Sequence, residues 1–499
     1  MGEGHGAASG KKVRGSIRSM KTSPAGYLSL VITLAAFARA GEVYHAQGEM
    51  AGEVGASQVH LQSRLTTLPG PELAPDGDMP GATGVAAFEW SDSADFADAS
   101  RSAWLTAAPD NDFIVRTTLL DLRPGQRYFY RLIYGTAPDS VRTGPTRSFK
   151  TLSPIDADAP VSFCMGTCMH YDAFMSGMPN GDGPATATEE DKRLGFRVFA
   201  AMRKLRPDFF IGAGDTVYYD FPKSQPATTL PGLRKKWHEQ FRLPRLTEFF
   251  GDCPAFWSKD DHDFRFDDAD LEGADLPSAS TGKALFREQL PITPQGDQKS
   301  PTYRTVRIHP HAQLWFLEGR DHRSPNSMPD GPEKSLWGAA QKAWLEQTLK
   351  ASDATWKLII SPTPLVGPDR KTKKDNHTNP LGFRHEGNEF FAWLTRENIK
   401  NVIILSGDRH WQYHSIHPSG VEEFSVGALN DENSILGEYP GRPTSTDPDG
   451  KILQPYHYKE ATGGFLRVEV APKGLSVATL RLGFHDDTGA VLYQIEKAP

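Results

Sequence analysis

Four short stretches place polar, metal-competent side chains directly after apolar runs. "GTCMHYD" carries Cys168 after Val161–Cys164, and "GDTVYYD" carries Asp215 and Tyr218 after Phe209–Gly212. "WSKDDHD" carries Asp261 and His262 after Ala255–Trp257, and "SGDRH" carries Asp408 and His410 after Val402–Ser406. Each stretch alone has an ordinary reading: a free cysteine packs, a Gly-Asp pair turns, and a histidine finds a polar partner. Together they occupy one kind of position, the end of a buried strand, where a layered fold gathers them into one cleft. A buried cluster of Asp, Cys and Tyr without cations is strongly disfavoured, because each ionised group is desolvated beside like charges. Metal ions remove that conflict. Asp215 can bridge two of them, and Tyr218, three residues on, can turn back as a phenolate. Phenolate with thiolate selects a strongly polarising ion, ferric iron, over magnesium. Asp261 and Asp408, sharing Asp215, form an oxygen-only site that suits calcium, and zinc or manganese less well.

Elements must hold these groups in place. After residue 159, apolar strands (the four above, with Gln313–Leu317 and Lys357–Ser361) alternate with helical patterns in "TEEDKRLGFRVFAAMRKL", "GAAQKAWLEQTLKAS" and "EGNEFFAWLTRENI". Thr188 and Asp191 provide a capping box for the first helix. This alternation predicts an α/β layered domain over 160–499, with reactive groups at the carboxyl ends of its strands. Residues 41–152 read differently: "SQVHLQSRL", "GVAAFEW", "FIVRTTLLDL" and "QRYFYRLIY" are short β-branched or aromatic runs that predict an antiparallel β-sandwich. "LDLRPGQRYFYRLIYG" is similar to a hairpin of a fibronectin type III-like domain, with Pro124-Gly125 as its turn. "TLSPIDADAP" reads as a linker. The acidic stretch Asp263–Asp275 reads as a solvated insertion.

The 499-residue chain has room for two domains. Lys and Arg total 55 against 62 Asp and Glu, a net charge of -7, with no long basic run past the N-terminus. Nucleic-acid recognition by phosphate neutralisation is not expected, and no stable protein partner is implied. Three cysteines make no disulfide framework; an extended chain holds Cys164 and Cys168 about 13 Å apart, past the roughly 7 Å limit for bridging. Residues 1–40 carry Lys11, Lys12, Arg14, Arg18 and Lys21 ahead of "AGYLSLVITLAAFARA". That pattern is a signal peptide and predicts a periplasmic or secreted protein.

The motifs, in this order, resemble the metallophosphoesterase superfamily, whose pattern runs D-x-G, G-D-x-x-Y, G-N-H and G-H-x-H. "GDTVY" matches the purple acid phosphatase-like second motif. Cys168 in place of the first Asp, "DDHD" in place of G-N-H, and "SGDRH" in place of G-H-x-H resemble the alkaline phosphatase D (PhoD-like) family, as do "LIISPTPLVG" and "WFLEGRDHR". The resemblance implies a four-layer α-β-β-α metallophosphatase sandwich. It implies iron on Cys168, Asp215, Tyr218 and His410, calcium on Asp215, Asp261 and Asp408, and His262 as proton donor to the leaving oxygen or charge stabiliser, with Asp260 as its orienting partner. The expected activity is alkaline phosphatase or phosphodiesterase: a metal-held hydroxide attacks a small-molecule or lipid phosphate ester in line. A phospholipase D-like diesterase of the same fold, and a catalytically silent secreted binding protein, are the other readings. Arg320 and Arg323, just past a strand, could grip phosphate oxygens; Arg384, with His377 and His385, lies in a second loop rich in phosphate-compatible side chains.

Overall fold

Strands form where the apolar runs predict them, and the runs are apolar throughout because both sheet faces are covered. In the computed structural model, which describes residues 1–2, 42–157, 159–472 and 478–499, Val161–Gly166, Phe209–Ala213 and Ala255–Ser258 pair in parallel. Ala312–Phe316, Trp356–Ser361, Val402–Ser406 and Glu422–Val426 form the parallel centre of a second sheet. Alternate residues of the two sheets face one another: Phe163, Phe209, Ile211 and Phe256 meet Leu314, Phe316, Leu358 and Ile360 in one core. The rings of Phe256 and Phe316 stack across the gap at 5.3 Å.

The intervening positions point outward and are covered by helices. Phe210 and Trp257 pack beneath Phe199, Trp237, Phe249 and Phe250, from the helices Arg197–Leu205, Leu230–Phe241 and Pro244–Asp252. Trp315, Ile359 and Ile404 pack beneath Leu345, Leu349 and Phe390, from Gly338–Ala351 and Arg384–Arg396. The result is the expected four-layer α-β-β-α arrangement. Its rigidity follows from burial, since truncating one such aromatic to alanine typically costs roughly 3–5 kcal/mol.

The N-terminal sandwich has one wall of its own, built on Gly84–Ser91 and Arg127–Ala137. Its other wall, Glu49–Gly52, Val59–Arg64 and Ile114–Leu119, continues the first of the two packed sheets through the parallel pairing of Gly52 with Ala255, giving one sheet of nine strands. Gly52 is required at this junction, because a Cβ there would stand 2.4 Å from the carbonyl oxygen of Pro291.

Two local expectations change. Thr188 and Asp191 do form the capping box, but the helix divides into Glu189–Leu194 and Arg197–Leu205. Gly195 causes the break: its φ of +98 leaves the helical region, and a Cβ would lie 2.9 Å from that of Leu243. The acidic stretch is not merely a solvated insertion. It wraps around buried Arg265, which donates to the carbonyl oxygens of Asp270, Glu272, Asp275 and Pro277. All three cysteines are free. The expected signal segment, apart from its first two residues, lies outside the described residues.

Candidate metal centre

Three of the four loops begin with the same backbone device. Cys168, Asp215 and Asp408 each stand two residues beyond their strand and take left-handed φ values of 55°, 54° and 62°. Side chains with a Cβ avoid this region, and such strain persists only where surroundings enforce it. Here the loops are tied together. Cys168 N–H donates to Gly214 O at 3.3 Å, Met169 N–H to Asp215 O at 2.9 Å, and the Thr167 hydroxyl to Gly214 O at 2.9 Å. The Asp260 loop closes on Gly214 from the other side, so that a Cβ on Gly214 would sit 2.6 Å from that of Asp260.

These turns bring ligand-type atoms into two overlapping groups, Cys168–Asp215–His410 and Asp215–Asp261–His262, within each of which the atoms lie inside 4.8 Å of one another. Cys168 Sγ is 3.5 Å and Tyr218 Oη 3.4 Å from the same oxygen of Asp215, Oδ2. Asn433 Nδ2 donates to Tyr218 Oη at 3.0 Å and to Cys168 O at 3.1 Å. Asp408 belongs to neither group. Arg409 holds its Oδ1, while its Oδ2 is buried without a partner.

Burial first, then the Asp261 carboxylate, holds the Asp215 carboxyl well above the usual range. Burial also raises Asp408, which Arg409 opposes and Asp375 reinforces. The Cys168 thiol and Tyr218 phenol rise through burial and through neighbouring Asp215 and Cys168 respectively. Burial and Arg409 hold His410 well below its usual value. For His262 burial acts downward, but Asp261, Asp215 and Asp220 together outweigh it and the imidazole is raised. For Asp261 burial is outweighed by His262 and Arg320, which hold it below the usual range, whereas Asp215 and Asp408 remain short of positive charge. Multivalent cations fit this set, and the unpartnered oxygen of Asp408 is a donor still to be satisfied.

One functional residue escaped sequence reasoning. Asp220 Oδ1 lies 2.7 Å from His262 Nδ1, so Asp220, not Asp260, orients the ring. Asp260 instead accepts from Arg320 Nε at 2.7 Å. Arg320 is fully buried, also reaching Asp375 at 3.4 Å and Ala269 O at 2.9 Å. Arg323 bonds Asn326 and Asp375 O, and Arg384 bonds Thr378 O and Thr446 O. His377 bonds Glu386 at 2.9 Å. The pocket over the site, about 370 Å³, is walled by Asp261, His262, Asp408 and His410, and its cations are Lys223, Arg370, Lys373 and Arg409. None of the three expected arginines lines it. A roomier hollow of about 760 Å³, between Arg203, Asp208 and Cys253, contains none of the candidate site residues.

Two family models match the chain: PhoD-like phosphatase over residues 167–475, and PhoD-like phosphatase, N-terminal domain, over 33–152. Alkaline phosphatase D of Bacillus subtilis (strain 168) is 22% identical over 522 aligned positions, which cover 93% of this chain and 84% of that protein. A solved structure of PhoD superposes with a TM-score of 0.68 at 17% identity, covering 91% of this chain and 89% of the other. Purple acid phosphatase PPD1 from yellow lupin (Lupinus luteus) seeds superposes with 0.58 at 12% identity, covering 90% and 74%. At these identities the two structures speak for the fold alone, the metallophosphatase sandwich. Since the first model spans more than half of the sequence, the chain belongs to the PhoD-like phosphatases, and it is a metal-dependent phosphoric ester hydrolase.

Proposed function

We propose that Cys168, Asp215, Tyr218 and His410 hold iron, and that Asp215, Asp261 and Asp408 hold calcium, with zinc or manganese as poorer fits to the second position. The observation that carries this reading is the double membership of Asp215, whose carboxylate belongs to both groups of closely spaced donors. A thiol, a phenol and an imidazole around one carboxylate favour a strongly polarising transition ion, whereas carboxylates alone favour calcium. When bound, the ions supply Lewis acidity toward phosphate oxygens and an activated water.

The chain supplies the remaining chemistry. Asp220 fixes the His262 ring through Nδ1; burial acts downward on the imidazole, and Asp261, Asp215 and Asp220 together raise it. With Nδ1 turned to Asp220, Nε2 of the imidazolium form is the atom that hands a proton to the departing oxygen. Arg370, Lys373 and Arg409 draw the anionic ester into the pocket. Monoesters, diesters or both are the substrates. Hydrolysis of bis(p-nitrophenyl) phosphate beside p-nitrophenyl phosphate tests which. Export through residues 1–40 is part of the proposal, tested by the N-terminal sequence of the protein recovered outside the cytoplasm.

Metal analysis with visible absorption decides the ion assignment. Stoichiometric iron with a charge-transfer band that disappears in Tyr218→Phe or Cys168→Ser is the expected result. Zinc alone, with no such band, overturns the iron site.

A further inference from the structure

Tyr218 is held between two imidazoles. Its ring stacks on His170 at 4.3 Å and 24°, and on His262 at 4.2 Å and 28°. No ring contact joins the two histidines among the described residues, so they cover opposite faces of the phenol. Phe221 closes the edge, 4.4 Å from the His170 ring and 5.9 Å from that of Tyr218.

His262 has its own partner in Asp220, but His170 is anchored by backbone chemistry. It is the N-cap of the short helix Tyr171–Ser176, and its Nδ1 accepts the Ala173 N–H at 3.2 Å. Its own N–H donates to Asn430 Oδ1 at 3.1 Å. Because Nδ1 accepts, the ring proton resides on Nε2, and Nε2 is buried without a partner. Stacking on one side and capping on the other set the plane of the imidazole, and the imidazole sets the plane of the phenol.

We infer that His170 is a positioning residue: it clamps Tyr218 against His262 so that the phenolic oxygen stays aimed at the space shared with Cys168 and Asp215. This inference rests on the proposed ligand role of Tyr218. The chain of control runs from a helix cap, through a stacked ring, to the oxygen that meets the metal.

Two variants separate the cap from the ring. In His170→Asn the side-chain oxygen can still accept the Ala173 N–H, but the stacked ring is gone. In His170→Phe the ring remains and the cap is lost. Fe³⁺ affinity of the full chain is measured by competition with a chelator, and thermal midpoints of the metal-free proteins are recorded alongside. The expected result is that His170→Asn binds Fe³⁺ at least ~10-fold more weakly, the usual scale for residues that orient a ligand. His170→Phe stays within about threefold of wild type, although both variants lose a similar few degrees of metal-free stability. Wild-type affinity in His170→Asn overturns the inference, and if only His170→Phe loses affinity His170 is reduced to a helix cap; an equal loss in both variants also overturns it, because the stacked ring alone then does not hold the phenol. Tyr218→Phe is the control. If it binds Fe³⁺ like wild type, the ligand reading itself falls; if it loses affinity while His170→Asn does not, only the clamp falls.

Discussion

The molecule buries two groups of acids, and they are treated in opposite ways. Near the N-terminal sandwich, Asp112 is ringed by donors: Arg64 at 3.0 Å, His238 Nε2 at 2.6 Å and Gln289 at 2.8 Å, with His238 Nδ1 reaching on to Asp78 at 2.7 Å. Burial alone would raise the Asp112 carboxyl, but His238 and Arg64 outweigh it and hold it well below the usual range. At the strand ends Asp215 and Asp408 are as deeply buried and are pushed the other way. The first group is internally neutralised and is structural. The second is only partly compensated, since Arg409 reaches Asp408 and His262 and Arg320 hold Asp261 low while Asp215 and Asp408 stay raised, and a fold retains such a deficit where an ion from outside makes it good.

The largest test of that contrast exchanges the two sites. Asp215→Asn should lower hydrolysis of p-nitrophenyl phosphate by at least ~10³-fold, on the scale of losing a principal transition-state interaction. Its metal-free form should be no less stable than wild type, since a repelled buried charge is removed. Asp112→Asn should do the reverse: activity within about threefold, but roughly 3–5 kcal/mol of stability lost to a broken buried pair. Denaturant titration beside steady-state kinetics reads both. Should Asp215→Asn destabilise the metal-free chain as Asp112→Asn does, the two groups are alike and the contrast fails.

Asp220→Asn ranks next. Removing the carboxylate that fixes His262 should cost about 10²-fold with an alkyl phosphate, whose leaving oxygen needs a proton. With p-nitrophenyl phosphate, whose leaving group departs unaided, the loss should be below about fivefold. Equal losses on both substrates would remove His262 from the proton-transfer role.

The pH dependence of stability should then differ in sign between the two groups. Asp263, also buried at the strand ends, is pushed up to about 7, mainly by burial, and Asp215 and Asp408 shift in the same direction. Between pH ~4 and ~7 the folded chain keeps protons that the unfolded chain releases, so stability of the metal-free protein should fall as pH rises across that window. Asp112, held low, contributes stability that is lost only as pH drops below ~4. Thermal midpoints of chelator-treated protein at pH 4 to 8 measure this, and Asp215→Asn should flatten the slope while Asp112→Asn leaves it. Added metal should oppose it, because ions compete with those protons.

The parts legible in the sequence were those fixed by local pattern. Apolar runs buried on both faces announced the parallel strands, and the residues after them announced the site, because strand ends of one sheet share an edge. Whatever depended on contacts between distant backbones stayed hidden. The fusion of the N-terminal sandwich to the catalytic sheet rests on one pairing, Gly52 with Ala255, that leaves no side-chain signature. Asp220 lay in plain view at the end of "GDTVYYD", yet its partner His262 is 42 residues on, and only the loop's reversal brings them together. A carboxylate within the same loop as Asp215 was the available signal. Asp260, adjacent in sequence to Asp261 and His262, attracted the role by proximity, but Arg320 claims it.

The smallest expected effect concerns Arg384, which sequence composition had marked for phosphate. Its Nε and terminal nitrogen donate to Thr378 O, and the latter also to Thr446 O, so the guanidinium ties two loops instead of facing the pocket. Arg384→Ala should change the KM for p-nitrophenyl phosphate by less than about twofold and cost roughly 1–2 kcal/mol of stability, the scale of hydrogen bonds from a charged donor. Arg370→Ala, at the pocket wall with an exposed side chain, should raise KM several-fold at low salt and lose that effect as screening increases. A larger KM change in Arg384→Ala than in Arg370→Ala would return the anion-binding role to the loop where composition first placed it.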